Sequence, residues 1–313
     1  MRYLRRPLLD FVKLFNAFPG AISQGLVWGL MAIGVYITYR ILDVADLTVD
    51  GSMATGGAVA AMMITSGVNP WIAVLCAFLV GLLAGLVTGL FHTAMGIPAI
   101  LSGILTQLAL YSINLRIMAG KANTAVNVSK FHVLISSRNV RSITFENPIV
   151  LLLILTALLI VFLHLFFGTE FGCSLRATGA NQNMARAQGI NTRFGTVIGL
   201  MLSNGIVAFS GAMLTQYQGF ADVQMARGAI VIGLAAVIIG EVVFGKLFRS
   251  FWGKLICVSL GAVIYYLVMQ VVLWLGLNTN DLKMLTAIVV AVFLAVPYWK
   301  GLATQKNIRK RGA

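Results

Sequence analysis

One basic stretch, Thr169–Arg193, with the sequence TEFGCSLRATGANQNMARAQGINTR, lies between two long apolar runs and carries the residue types of a docking surface. Gly179 and Gly189 bracket Asn181–Gln188, about two helical turns, with Asn181 as an N-cap and Gly189 as a C-terminal stop. Between them Met184 offers a flexible apolar anchor, and Ala185 and Ala187 allow close approach. Arg176 and Arg186 can meet carboxylates on another chain. A short docking helix is expected here.

A second group of residues has the chemistry of a solute path. Asp46 and Asp50 open an apolar run, and carboxylates at membrane depth are costly enough to read as functional. Against that, Asp50 is placed to cap the helix that starts at Gly51, and Asp46 to lie in water at the outer surface. Gln107, Asn114, Asn204, Gln216 and Gln218 lie in or beside apolar runs, where amides either bond a passing solute or hold helices together. Gln107 and Asn204, the most central, join Asp46 and Asp50 as expected path residues. Glu241, near the end of a span, is placed to pair with Lys246 or Arg249.

Catalytic and metal chemistry finds no support. Gly240–Leu247, GEVVFGKL, follows the phosphate-binding P-loop pattern until Leu247 stands where Ser or Thr must hold Mg²⁺. His92, His132 and His164 show no ligand spacing, and there is no Gly-x-Ser-x-Gly elbow. Cys76, Cys173 and Cys257 are far apart, which suggests neither a disulfide framework nor a metal site.

The elements that must position these residues are membrane helices. The chain is 59% hydrophobic and only 10% charged, with mean hydropathy +0.92, against roughly 25% charged residues in a soluble domain. No Asp, Glu, Lys or Arg occurs between Asp50 and Arg116. The excess of 23 Lys and Arg over 9 Asp and Glu gathers at the ends of apolar runs, a topology signal rather than a nucleic-acid surface. The longest polar interval, 119–146, is too short for a core of its own, so residues 1–313 form a single membrane domain.

Apolar windows place segments at 20–40, 51–66, 70–92, 98–118, 147–168, 194–216, 226–244, 254–276 and 282–299. Gly20–Tyr39 is too long for a signal core and reads as a retained anchor. The basic ends, 1–19 and 300–313, are both expected in the cytoplasm, which requires an even number of crossings. The segment 41–66, interrupted by Asp43, Asp46 and Asp50, is therefore expected to be broken or re-entrant, entering and leaving on the outer side. That puts 169–193 and 245–254 inside and 119–146 outside. The fold class is all-α, with eight to ten transmembrane helices.

Asp50–Ile64 and Arg227–Ile239 are both short, Gly-punctuated segments opened by a charged residue, in corresponding places of two halves. Paired interrupted helices of this kind mark the site in repeat-built transporters, and an ion-coupled secondary transporter stays open on this ground. Gly81, Gly85 and Gly89, and likewise Gly25 and Gly29, form small-residue ladders suited to close helix packing or a subunit interface.

Four runs carry a family resemblance: Asp46–Ala61 (DLTVDGSMATGGAVAA), Thr106–Ala122 (TQLALYSINLRIMAGKA), the loop LRATGANQNMARAQGIN and Gln216–Glu241 (QYQGFADVQMARGAIVIGLAAVIIGE). Over roughly residues 20–300 the chain resembles bacterial ABC importer permeases of the branched-chain amino acid and ribose type, and within them the subgroup of tryptophan or aromatic amino acid permeases. The resemblance implies a multi-pass inner-membrane permease that imports a small solute, an amino acid and an aromatic one. Its implied partners are a second permease copy, cytoplasmic ATPase subunits that hold the ATP and Mg²⁺, an extracytoplasmic solute-binding protein and membrane lipids. It also implies that Leu175–Gly189 is the coupling helix, with Arg176, Asn181, Met184, Ala185 and Gly189 matching the family's loop. One departure is Met225-Ala226-Arg227-Gly228, where the subgroup has small or apolar residues. An arginine at the outer mouth suits a solute carboxylate or a lipid headgroup.

Overall fold

A computed structural model describes residues 7–140, 147–248 and 250–275, with scattered positions between 284 and 295. The expected segment 282–299, apart from those positions, and the 300–313 tail lie outside the described residues. α1 (Pro7–Tyr36) runs into a π-helical turn, Ile37–Ile41, and an extended stretch leads to α2 (Val49–Thr65). Then come α3 (Pro70–Thr93), α4 (Ala99–Ile117), β1 (Asn123–Ala125), a 3₁₀ turn at Ser137–Asn139 and α5 (Pro148–Gly168). The second part holds α6 (Glu170–Ala180), α7 (Gln182–Ala187), α8 (Thr192–Gln218), β2 (Phe220–Asp222), α9 (Ala229–Phe244) and α10 (Phe251–Trp274). β1 and β2 pair antiparallel, with Asn123 opposite Asp222.

Local chemistry explains several helix boundaries. Asn69, Asn147 and Asn191 each accept a hydrogen bond from a first-turn N–H, of Trp71 at 2.9 Å, Ile149 at 3.0 Å and Phe194 at 3.1 Å. Pro70 and Pro148 occupy the first helical position, where no donor is lost. α8 stops at Gly219, whose φ of +82° suits a residue without Cβ.

α8 is the central post of the bundle. The Gly81, Gly85 and Gly89 ladder on α3 lies against its backbone at Asn204, Leu200 and Val197. Gly56 of α2 meets the Ala208 carbonyl, and Gly211 of α8 meets the Met53 carbonyl. Gly25 and Gly29 bring α1 onto α10 at Val263 and Ser259. Both ladders are thus used inside one protomer, in place of the subunit interface that was the other expectation. In lipid, helices associate through close van der Waals packing and interhelical hydrogen bonds, so the glycines sit where backbones touch.

The all-α polytopic class holds, and among the described residues six helices are long and apolar enough to cross, against the eight to ten expected for the whole chain: Leu14–Ile41, Pro70–Thr93, Ala99–Ile117, Pro148–Gly168, Thr192–Gln218 and Phe251–Trp274. The shortfall among the described residues comes from α2, of 17 residues, and α9, of 16, each of which begins inside the bundle. α2 starts beside Asn204, halfway along α8, and ends against Val126 and Ala221 near the β1–β2 pair. The extended stretch before it starts at the opposite end, where Leu42 packs against Gly199 and Ile41 against Gly179 of α6. The segment is therefore broken, as expected, but it runs from one end of the bundle to the other and is not re-entrant.

α1 sets a second correction. Its Ile41 end touches α6, while its Gly20 carbonyl accepts from Tyr217 Oη at 3.2 Å, at the far end of α8. Gly20 of α1 and the α6–α7 loop thus lie at opposite ends of the bundle, whereas the expectation of two cytoplasmic termini would have the chain enter on the loop's side. The basic residues Arg2, Arg5 and Arg6 carried that expectation and lie outside the described residues.

Candidate functional site: a docking ledge and a split-helix junction

The basic loop folds as two short helices. Thr169 caps α6 by accepting from Gly172 N at 3.2 Å. Asn181 caps α7 by accepting from Met184 N at 3.0 Å. Gly189, at φ +80°, turns the chain away after α7. The expected two-turn helix with its cap and stop is therefore present.

The seven residues assigned to this surface divide by burial. Leu175 and Ala185 are 0% and 3% exposed and seat the helices on the bundle. Arg176, Asn181, Arg186 and Gly189 are exposed, and Met184 is 64% exposed, a large apolar side chain open to its surroundings. Arg176 lies 5.8 Å from the Phe251 ring centroid, and Arg186 Nε donates to Thr192 Oγ1 at 2.9 Å. Both guanidiniums are held at the surface and keep unused donors for a carboxylate.

Behind this ledge lies the π-helical turn. Gly179 approaches the Ile41 carbonyl so closely that any Cβ would overlap it, and Leu175 shares a packed cluster with Ile37, Ile41 and Leu42. Past the turn, Asp43 adopts φ +54° and the chain extends. A non-helical backbone at this depth needs side-chain partners for its polar groups. Asp46 provides one by accepting from Thr48 N at 2.9 Å, and its other oxygen accepts from Asn204 Nδ2 at 2.7 Å. Ser52 Oγ donates to Asn204 Oδ1, and Thr48, Thr88 and Thr106 link hydroxyl to hydroxyl across α2, α3 and α4 at 2.7 and 2.9 Å.

Asp46 is 2% and Asn204 0% exposed, so the expectation of Asp46 in outer water is overturned. Its carboxylate is needed inside, where the broken segment has lost its helical hydrogen bonds. The two residues belong to a closed polar network rather than to an open wall. The threonines in it gave no sequence signal, because a hydroxyl that bonds its own helix and one that bridges helices look alike.

Asp50 caps a helix, but not the expected one. It lies in the first turn of α2, and its two oxygens accept from Gly228 N at 2.7 Å and Ile230 N at 3.0 Å, at the start of α9. The two broken segments noticed in the sequence therefore meet, with a carboxylate of one closing the orphan donors and positive dipole end of the other. Asp50 and Gln107 line a cavity of about 320 Å³ beside this junction, together with Tyr111, Asn114, Gln224 and Arg227. The expected path residues thus separate, with Asp50 and Gln107 at the cavity and Asp46 and Asn204 in the buried network.

Two further expectations resolve. Glu241, at the far end of α9, pairs with Arg40 at 3.0 and 3.2 Å; among the described residues no pair with Lys246 forms, and Arg249, the other expected partner, lies outside them. The pair ties α9 to the π-helical turn, a proximity invisible across 201 residues of sequence. Gln216 is fully buried and accepts from Leu134 N at 2.9 Å, holding the 119–146 loop to α8 as a structural amide.

Comparison with known proteins matches residues 19–297 to the family described as branched-chain amino acid transport system / permease component. The chain is 40% identical over 274 residues to a tyrosine transport system permease protein of Clostridioides difficile, covering 88% of this chain and 89% of that one. It is 30% identical to an uncharacterized protein of Rickettsia prowazekii, over 90% of this chain and 97% of the relative. A probable branched-chain amino acid transport permease protein, LivH, of Methanocaldococcus jannaschii is 26% identical over 79% of this chain and 80% of its own. With its helical bundle, two half-length helices and near full-length match, the chain belongs to the branched-chain amino acid transport system permease family, the membrane subunits of ATP-driven importers.

Proposed function

We propose that this permease imports an aromatic amino acid, with α6–α7 as the surface through which a partner ATPase drives it. The single observation that carries the docking half is the capped α7 presenting Met184 at 64% exposure between Arg176 and Arg186. An exposed apolar side chain on a surface that also exposes two arginines suits a cleft with an apolar floor and acidic rim. ATP and Mg²⁺ are held on the partner subunits. The likeness to a tyrosine transport permease supports the aromatic substrate.

In this reading the chain is one membrane domain in the bacterial inner membrane. It works as a pair of copies, surrounded by lipid and supplied by an extracytoplasmic binding protein. The α6–α7 end faces the cytoplasm, which puts Arg176, Arg186, Arg193, Lys246 and Lys254 on the inner side and favours an inner C-terminal tail. The start of α1 then faces outward. Asp50, Gln107 and the cavity beside them lie on the solute path. Asp46 and Asn204 brace the broken segment behind it.

Met184→Asp tests the docking surface. It is expected to lower recovery of the ATPase in a pull-down on the permease by at least about tenfold, while the permease keeps its melting temperature. Wild-type recovery would remove α6–α7 from the interface.

A further inference from the structure

The cavity at the α2–α9 junction contains a polar group that the fold leaves without a partner. Asn114 of α4 lines it and is 1% exposed, yet its side-chain carbonyl accepts no hydrogen bond among the described residues. Leaving a buried acceptor unmade is unfavourable, and such groups in native proteins have a reason. What Asn114 lacks is a donor.

The same cavity holds a cation. Arg227, exposed in the turn before α9, has a long hydrogen bond of 3.4 Å to Gln224 Oε1. The nearby Asp50 carboxylate already accepts one backbone N–H on each oxygen. Leu108 and Tyr111 complete one wall with exposed apolar and aromatic surface, 63% and 44% exposed. A volume of about 320 Å³ lies at the small end of ligand pockets.

We infer that this cavity binds the zwitterionic head of an α-amino acid. Its ammonium donates to Asn114 Oδ1, its carboxylate accepts from the Arg227 guanidinium, and its side chain lies along Tyr111 and Leu108. The inference rests on the amino-acid reading above and adds that the permease itself, not only a binding protein, reads both charged ends of the solute. Bidentate geometry makes arginine the side chain suited to a carboxylate. A carbonyl that can only accept selects for a donor.

The test uses the purified permease–ATPase complex without binding protein and L-tyrosine as probe, read by ligand-detected saturation-transfer NMR, which registers weak binding. Tyramine lacks the carboxylate and N-acetyl-tyrosine lacks the ammonium. The wild-type complex is expected to favour tyrosine over each by at least about tenfold. Arg227→Gln should remove the preference over tyramine alone, and Asn114→Leu the preference over N-acetyl-tyrosine alone. If Asn114→Leu does not assemble with the ATPase, Asn114→Asp, which keeps an acceptor, is expected to retain tyrosine binding, and its loss of binding counts against the site.

Variants that keep both preferences overturn the inference. If those variants and the wild type all import tyrosine equally, the cavity assignment fails and the transport reading stands. A wild-type complex that neither binds nor imports any aromatic amino acid sinks the reading beneath it.

Discussion

Asp50→Ala is expected to lose most of the folded permease, because it strips the start of α9 of both its side-chain acceptors. Gly228 N and Ile230 N donate to that carboxylate at 2.7 and 3.0 Å, and each bond to an ionised group contributes roughly 1.5–3 kcal/mol. The two donors are part-buried at the junction, where water replaces the lost acceptor only incompletely, so the combined cost is roughly 3–5 kcal/mol. That is a large part of the 5–15 kcal/mol typical of a whole domain. Asp50→Asn should recover only part of it, because an amide has one acceptor and turns an NH₂ group toward the second donor. Expression yield and the melting temperature of detergent-solubilised protein give the answer. An Asp50→Ala protein that melts with the wild type would show that the carboxylate does not clasp the two half-helices.

Gly179→Val separates docking from transmission. A Cβ at this position overlaps the Ile41 carbonyl and approaches Leu42 Cα to 2.9 Å. Backbone cannot swing aside as a side chain does, so α6 must lift off the π-helical turn, at a cost of about 1–3 kcal/mol. The exposed face of α7 is untouched by this change. The variant is therefore expected to recover the ATPase at the wild-type level but to import solute at least about tenfold more slowly, the rate counterpart of about 1.4 kcal/mol. Wild-type uptake by Gly179→Val would mean that the contact between α6 and Ile41 carries no signal.

These two substitutions mark the ends of one physical connection. From the ledge, Leu175 and Gly179 seat on the π-helical turn. Arg40 in that turn grips Glu241 at the end of α9, while the extended chain beyond it leads to Asp46 and then to α2. α2 and α9 meet at Asp50. α6 is thus connected to both half-helices through packed and hydrogen-bonded contacts, the physical basis on which the proposed coupling rests.

Local chemistry was legible in the sequence. Asn181 and Gly189 delimit α7 because capping needs only a side-chain acceptor two or three residues away and a residue tolerant of positive φ. The Gly81, Gly85 and Gly89 ladder announced close packing because its spacing puts all three on one helix face. The similarity of Asp50–Ile64 to Arg227–Ile239 pointed to two broken segments, and these became α2 and α9.

Partners distant in sequence were not legible. The capping of α9 by Asp50 spans 178 residues and the Arg40–Glu241 pair 201, and no periodicity encodes either. The course of 41–66 was not legible for a different reason. The basic N-terminus reads as inner, which requires an even number of crossings and favours a re-entrant 41–66. The contacts of Gly20 with Tyr217 and of Ile41 with Gly179 place the two ends of α1 at opposite ends of the bundle and let the broken segment run through. For Asp46 the sequence offers a place on the solute path or in outer water, because a carboxylate in an apolar setting is costly, yet its two hydrogen-bond partners make it the stabiliser of the extended stretch.

The central claim, that a partner's ATP cycle acts on this chain through α6–α7, is tested most directly by uptake of labelled L-tyrosine into proteoliposomes. These would contain the permease with its ATPase, with the binding protein and ATP–Mg²⁺ each supplied on the appropriate side. The prediction is accumulation that requires ATP, survives collapse of proton and sodium gradients, and disappears in Met184→Asp although that variant is folded. Accumulation that follows an ion gradient without ATP, or a wild-type rate from Met184→Asp, would contradict it.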